Sequence, residues 1–387
     1  MRDKFYFNVL LVIMPLYFLQ GWLFDHGSLV SQTIVAVWLL IDIIYLCKYI
    51  NLGLCESVGR IFFIFWLLQT LTWLFSPFFS DNRLNSVGWG STYSIYKNIS
   101  VVFLSYYPFY YLSYKKVIEN KQLKKLAFLS LLCLIAAYYI SAEETALYRD
   151  STEITNNGAY YLVVIVPLLG LYFDKKIEFV LYGGILLLVL LGAKRGAILC
   201  AAVEILLFFY FYSKYSNLSK KPFRIFWSIT AFLTIAYLGM DLFEGNDYLQ
   251  QRYDQTLSGD SSLRDVLYSQ ALQYFKSQRL LTQIFGNGMS STLLIIGDFA
   301  HQDWIELLIN NGLLGVSIYV MTFLTLFFYY FRIRKRMPLM VRFMFLSAIF
   351  GWLMRSLYSM GYYSIETCFY VITFGFLSAN QHKFVKS

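Results

Sequence analysis

The sequence predicts an all-α polytopic membrane protein of about 12 transmembrane helices, with one long extracytoplasmic loop containing short helices. Three observations carry this. Of 387 residues, 58% are apolar, 20% aromatic and only 14% charged, against roughly 45–50% apolar and 25% charged in an average soluble domain. The apolar residues gather in runs of 16 to 22 positions that hold at most one charge, about the length a helix needs to cross a hydrocarbon core ~30 Å thick. Lys and Arg are also shared unequally between alternate connections, as membrane topology demands. A soluble enzyme, a disordered chain and a disulfide scaffold are excluded. An outer-membrane barrel is disfavoured, because its strands alternate in polarity and are only about ten residues long.

In order along the chain, spans are expected near 6–24, 29–47, 60–79, 99–114, 124–141, 158–173, 178–193, 196–213, 223–241, 312–331, 340–358 and 362–380, all within one integral membrane domain, residues 1–387. The first follows Arg2 and Lys4 and lacks a small-x-small cleavage site, so it reads as a retained helix. With the N-terminus in the cytoplasm, 22 of the 32 Lys and Arg fall inside, anchored by Arg332, Arg334, Lys335 and Arg336 after the tenth span. Both termini are then cytoplasmic. The net charge of +9 follows this topology and does not indicate a nucleic-acid partner. Cys47, Cys55, Cys133, Cys200 and Cys368 form no CxxC pair and read as inert thiols in or beside apolar runs. No metal-ligand cluster is visible. The pairs Tyr106–Tyr107, Tyr110–Tyr111, Tyr329–Tyr330 and Tyr362–Tyr363 are expected to form aromatic belts at the membrane interfaces.

Residues 242–311 form the one large loop, roughly 70 residues between spans nine and ten, and a loop that long is usually functional or disordered. Leu263, Val266, Leu267, Ala271 and Tyr274 recur at helical spacing, with Ser262 and Asp265 as a capping pair. An amphipathic helix therefore begins near 263. Gly286 and Gly288 mark a turn. His301, Trp304, Ile305 and Leu308 share one face of a further helix, which Asp298 can cap and which Asn310, Asn311 and Gly312 break before the membrane. His301 then lies in a first helical turn, where the helix dipole keeps an imidazole neutral and able to accept a proton.

Lys194 and Arg195 fall on the outer side, against the positive-inside bias, in a connection so short that both start near the membrane boundary. Such cations usually have a partner. They either snorkel to the headgroups or bind phosphate, for which a guanidinium is suited. Arg252, Arg264, Arg279 and Arg355 are further outer cations; each fits solvated surface, and together with Lys194 and Arg195 they fit an electropositive cavity for an anionic headgroup. Asp42, Glu204 and Glu366 are acids within spans, favoured here as structural partners of cations; Asp42 would be the proton-coupling candidate in a transporter.

Four stretches then carry a family resemblance: AKRGA after the seventh span, Arg264 followed by GNG, HQDWIELLINNGLLG before the tenth span, and NNGAYYLVVIVP at the sixth. Together they resemble the bacterial O-antigen polymerase and O-antigen ligase superfamily over roughly residues 150–330. Gln302 stands where that family more often has Asn, and Lys194 where a small residue is common. The resemblance implies a metal-independent, cofactor-free glycosyltransferase of the bacterial cytoplasmic membrane, acting on oligosaccharide carried by undecaprenyl diphosphate at the outer face. His301 would take the acceptor proton. Arg195, with Arg264 or Arg279, would stabilise the pyrophosphate leaving group. Lys194, Arg355 and Gln302 would complete the substrate site. Polymerisation of repeat units into O-antigen, capsule or exopolysaccharide is preferred to ligase-type transfer onto another acceptor. Membrane lipid, a chain-length regulator and a flippase are the implied partners. A transporter or flippase is the rival class, but related halves, common in transporters, are not visible, and the one large loop is asymmetric.

Overall fold

The computed structural model describes residues 2–53, 56–79, 89–148, 156–172, 177–215 and 264–381, together with Thr230, Tyr237 and Gln250. Apart from those three residues, the ninth expected span and the loop up to residue 263 lie outside the described residues, as do Arg252 and Cys55. Among those described, the protein is helical and has no strand, only an isolated bridge between Gln20 and Phe24.

The helices are α1 (Arg2–Tyr17), α2 (Leu29–Asn51), α3 (Ser57–Phe79), α4 (Trp89–Leu104), α5 (Tyr106–Tyr114), α6 (Asn120–Tyr148), α7 (Ala159–Val163), α8 (Val166–Leu169), α9 (Ile177–Leu191) and α10 (Arg195–Tyr215). After the loop come α11 (Arg264–Ser277), α12 (Leu280–Phe285), α13 (Ser291–Ile295), α14 (Asp303–Ile333), α15 (Leu339–Tyr358) and α16 (Cys368–Ala379). Six segments are long and apolar enough to cross a membrane: Leu29–Asn51, Ser57–Ser76, Asn120–Glu143, Arg195–Lys214, Asp303–Arg336 and Leu339–Tyr358. Ala159–Tyr172, Val180–Leu191 and Ile365–Ala379 are shorter apolar helices. This is a membrane-embedded all-α protein, and the twelve-span count is carried by the described residues only as far as these segments. The first helix ends at Tyr17, well before the expected 24. The fourth expected span is two helices meeting at Ser105. The sixth is a run of short turns interrupted at Val164 and Ile165, with Pro167, which has no N–H to donate, at the start of α8.

Aromatic packing fills the centre. Trp352 of α15 lies within 6.4 Å, centroid to centroid, of Phe62, Phe103, Tyr319, Phe323 and Phe374, contributed by α3, α4, α14 and α16. The tyrosine pairs belong largely to this interior. Tyr106, Tyr107, Tyr110, Tyr329, Tyr330 and Tyr362 are buried, which corrects the expectation of interfacial belts. A tyrosine ring packs like any aromatic, and its hydroxyl usually finds a partner when buried, although that of Tyr106 has none. Tyr107 donates to Gly59 O at 3.0 Å, and Tyr329 bonds Gln381 Oε1 at 3.1 Å. Side chains such as Val180, Phe328 and Leu29 are instead exposed, on surface that lipid would cover.

The intramembrane acids have three different surroundings. Asp42 accepts from Ser105 Oγ at 3.3 Å and Glu204 from the Tyr370 hydroxyl at 3.4 Å, so neither of these bonds is to a cation. Glu366 pairs with buried Arg355.

Candidate functional site

The four stretches singled out in the sequence meet in interlocked pairs. The first pair joins the start of α7 to the α9–α10 turn. Asn156 N donates to Gly192 O at 2.8 Å, its Nδ2 donates to Tyr138 O at 2.8 Å, and its Oδ1 accepts from Gly158 N at 2.7 Å. The turn then passes Ala193, at φ 49°, and reaches Lys194 and Arg195, both half-buried, as α10 begins. Gly196 follows because nothing larger fits: an added Cβ would run into the Tyr160 hydroxyl and sit 2.8 Å from Tyr358 Cβ.

The second pair joins the GNG turn to the break in α14. Gly312 has φ 65° and ψ −163°, so the helix from Asp303 is interrupted there, as expected. A break leaves the carbonyls before it without their i+4 donors. The GNG turn supplies replacements: Asn287 N and Nδ2 donate to Ile309 O at 3.0 and 3.1 Å, and Gly288 N donates to Asn310 O at 3.0 Å. The broken region also docks on α3, where Asn311 Nδ2 reaches Thr72 Oγ1 at 2.7 Å and Met289 N reaches Ser76 Oγ at 2.8 Å.

His301 is not in a first helical turn. It precedes the helix, with φ 53°, and Gln302 is the N-cap residue, extended and with no side-chain capping bond. Asp298 caps nothing at that distance; its carboxylate accepts from Phe299 N at 2.7 Å. The imidazole is nevertheless held neutral. Burial pushes its pKa below the ordinary value, Arg264 and Lys194 push it the same way, and Asp298 opposes them. The cause is desolvation and two nearby cations, not a helix dipole. Left-handed backbone at a non-glycine residue costs about 1–3 kcal/mol and collects at functional sites. Of the four such residues described, Ala193, Ser290 and His301 lie in this cluster and Lys116 does not.

Two carboxylates that the sequence reading missed hold this loop. Asp303, fully buried, accepts from the Tyr319 hydroxyl at 2.6 Å, Gly361 N at 2.7 Å and Tyr362 N at 3.1 Å. Glu306 accepts from Ala300 N and Thr292 Oγ1, both at 2.6 Å, and from Asn310 Nδ2 at 3.3 Å. Ala300 is the residue before His301, so Glu306 fixes the backbone that carries it. The available signal was two acids in the first turn of a helix within an acid-poor chain.

Arg264 begins α11 and donates from Nη1 to Tyr358 O at 3.3 Å, which docks that helix on the end of α15. At its other end Tyr274 bonds Asn287 Oδ1 at 3.1 Å. Lys194 and Arg264 thus come together with His301, and Arg195 opens α10 beside Lys194. Arg279 is not brought in: it is exposed beyond the far end of α11, about 20 Å along at 1.5 Å per residue. Arg355 is buried, paired with Glu366 and 5.1 Å from the Tyr160 ring centroid, while its Nε and Nη1 have no hydrogen-bond partner. Comparison with protein-family models and with curated protein sequences finds no match for this chain.

Proposed function

We propose that this protein polymerises oligosaccharide repeat units carried on undecaprenyl diphosphate, at the outer face of the bacterial cytoplasmic membrane, into O-antigen, capsule or exopolysaccharide. The observation that supports it most is the setting of His301: an imidazole kept neutral by burial, with two cations in electrostatic reach, at one end of a membrane-embedded bundle. In the proposed step an acceptor hydroxyl oxygen bonds the anomeric carbon while His301 takes its proton. The anomeric C–O bond breaks, and its electron pair leaves with the lipid diphosphate. Lys194, Arg195 and Arg264 offset that charge, and the proton passes from His301 to water. Gln302, adjacent in the chain, is suited to hydrogen-bond the sugar. A lipid carrier explains why such chemistry is housed among helices. A chain-length regulator and a flippase are the fitting partners.

A transporter reading would centre on Asp42 and Glu204. These lie in separate helix contacts, on α2 against Ser105 and on α10 against Tyr370. The test is complementation of a strain lacking the gene, read as the length of surface polysaccharide with protein levels matched. Wild type is expected to restore long chains; His301→Ala and Arg264→Ala are expected to leave single repeats. Long chains from both variants would sink the assignment.

A further inference from the structure

A second feature at the same end of the bundle has different chemistry. A cavity of about 290 Å³ opens between the end of α1, the α1–α2 turn, α4, α6, α7 and the segment before α16. Its polar lining is Gln20, His26, Asn98, Ser141, Ser364 and Glu366. The aromatic rings of Tyr17, Tyr161 and Tyr363 complete the wall, and among the described residues no Lys or Arg lines it. Gln20 is fixed in the wall, its Oε1 accepting from Ser31 Oγ at 2.9 Å.

We infer that this cavity binds one neutral sugar ring, which on the polymerase reading above is the accepting end of the glycan. Amides, hydroxyls and a carboxylate match ring hydroxyls, and aromatic faces match the apolar C–H face of a sugar. The absence of cationic lining disfavours a phosphate. The volume lies just below the usual range for ligand pockets, about 300–1,000 Å³, so it suits one ring rather than a lipid tail. The cavity also adjoins the His301 loop: Tyr363 packs on Phe299 at 6.1 Å, and Glu366 of the lining pairs with Arg355.

The test uses the full-length protein in lipid nanodiscs with methyl glycosides of glucose, galactose, mannose and N-acetylglucosamine, read by saturation-transfer NMR. At least one glycoside should bind wild type at millimolar concentration. Ala137→Phe, which fills the cavity, should abolish the signal, and Asn98→Ala should weaken it about three- to tenfold, as the loss of one hydrogen bond would. Inorganic pyrophosphate should not compete. Glycoside binding is read with no lipid-linked donor present, so the result stands apart from the glycosyl-transfer assay. Retained binding in Ala137→Phe, binding of none of the four glycosides, or displacement by pyrophosphate would each overturn the inference. Loss of binding in Ala137→Phe together with normal polysaccharide in a strain lacking the gene would keep the sugar site and remove the polymerase.

Discussion

Replacing Gly312 by Ala should be among the most damaging small changes in the protein. At φ 65° and ψ −163° an L-residue is strained, at a cost of about 1–3 kcal/mol. The new methyl would also lie 2.5 Å from the carbonyl carbon and oxygen of Ile284 and 2.6 Å from Gln283 O. These are backbone atoms and cannot rotate away. The α12 end must retreat, carrying with it the GNG turn and its three hydrogen bonds to Ile309 and Asn310, each contributing about 0.5–1.5 kcal/mol. The sum is about 3–7 kcal/mol. At about 1.4 °C per kcal/mol for a chain of this size, the melting temperature should fall by about 4–10 °C. Intrinsic tryptophan fluorescence reads it, since Trp38 and Trp352 are fully buried. The control is Gly297→Ala: its φ is also positive, at +79°, but a Cβ there meets nothing within 4 Å, so only the strain remains. Equal losses in the two variants would refute the claim that close backbone approach locks this break.

Gly196→Ala should cost about 1–3 kcal/mol as overpacking and abolish polysaccharide extension; Tyr160→Phe in the same chain removes the clashing hydroxyl and should recover part of the thermal stability. His301 is depressed, so unfolding takes up protons: stability should be intact above the ordinary histidine pKa of about 6.5 and fall as pH drops from there toward the folded value. His301→Gln should flatten that slope, and Arg264→Gln should raise the imidazole pKa, measured by NMR of labelled histidine. Glu366→Gln should destabilise by about 3–5 kcal/mol through the stranded Arg355, whereas the double change Arg355→Met, Glu366→Leu should cost less, as chemical denaturation would show. Single cysteines at Ser269 and at Lys335 in a cysteine-free background should react with a membrane-impermeant maleimide from opposite sides of the membrane; labelling from one side only would invalidate the orientation.

Much of the site's location was legible. The Gly-x-Gly turn, the Asn-Asn-Gly break, the adjacent Lys194–Arg195 pair and His301 all stand out as exceptions in an apolar chain. Their mutual contacts were not legible, because hydrogen bonds such as Asn287 to Ile309 or Asn156 to Gly192 leave no periodic trace. Asp303 and Glu306 do not stand out in the sequence because acids in the first turn of a helix are ordinary. The tyrosine pairs misled for a physical reason: a ring with a hydroxyl suits both a headgroup zone and a hydrogen-bonded core, and only three-dimensional packing separates the two. Span lengths erred where hydropathy is blind to helix continuity, at Ser105 and before Pro167. The cavity draws on five separate stretches, of which the last stood out in the sequence, through Glu366 and Tyr363.

The contact of α14 with α3 also has a consequence for biosynthesis. Gln69, Thr72 and Ser76 form a polar stripe on α3 whose partners, Asn311 and Met289, come 213 to 242 residues later in the chain. At about 5–20 residues per second, the ribosome needs roughly 10–50 s to deliver them. For that interval α3 is already inserted but its stripe is unmet. A nascent chain cut off before Asn311 is therefore expected to present a sticky polar face inside the bilayer, a natural handle for membrane quality control.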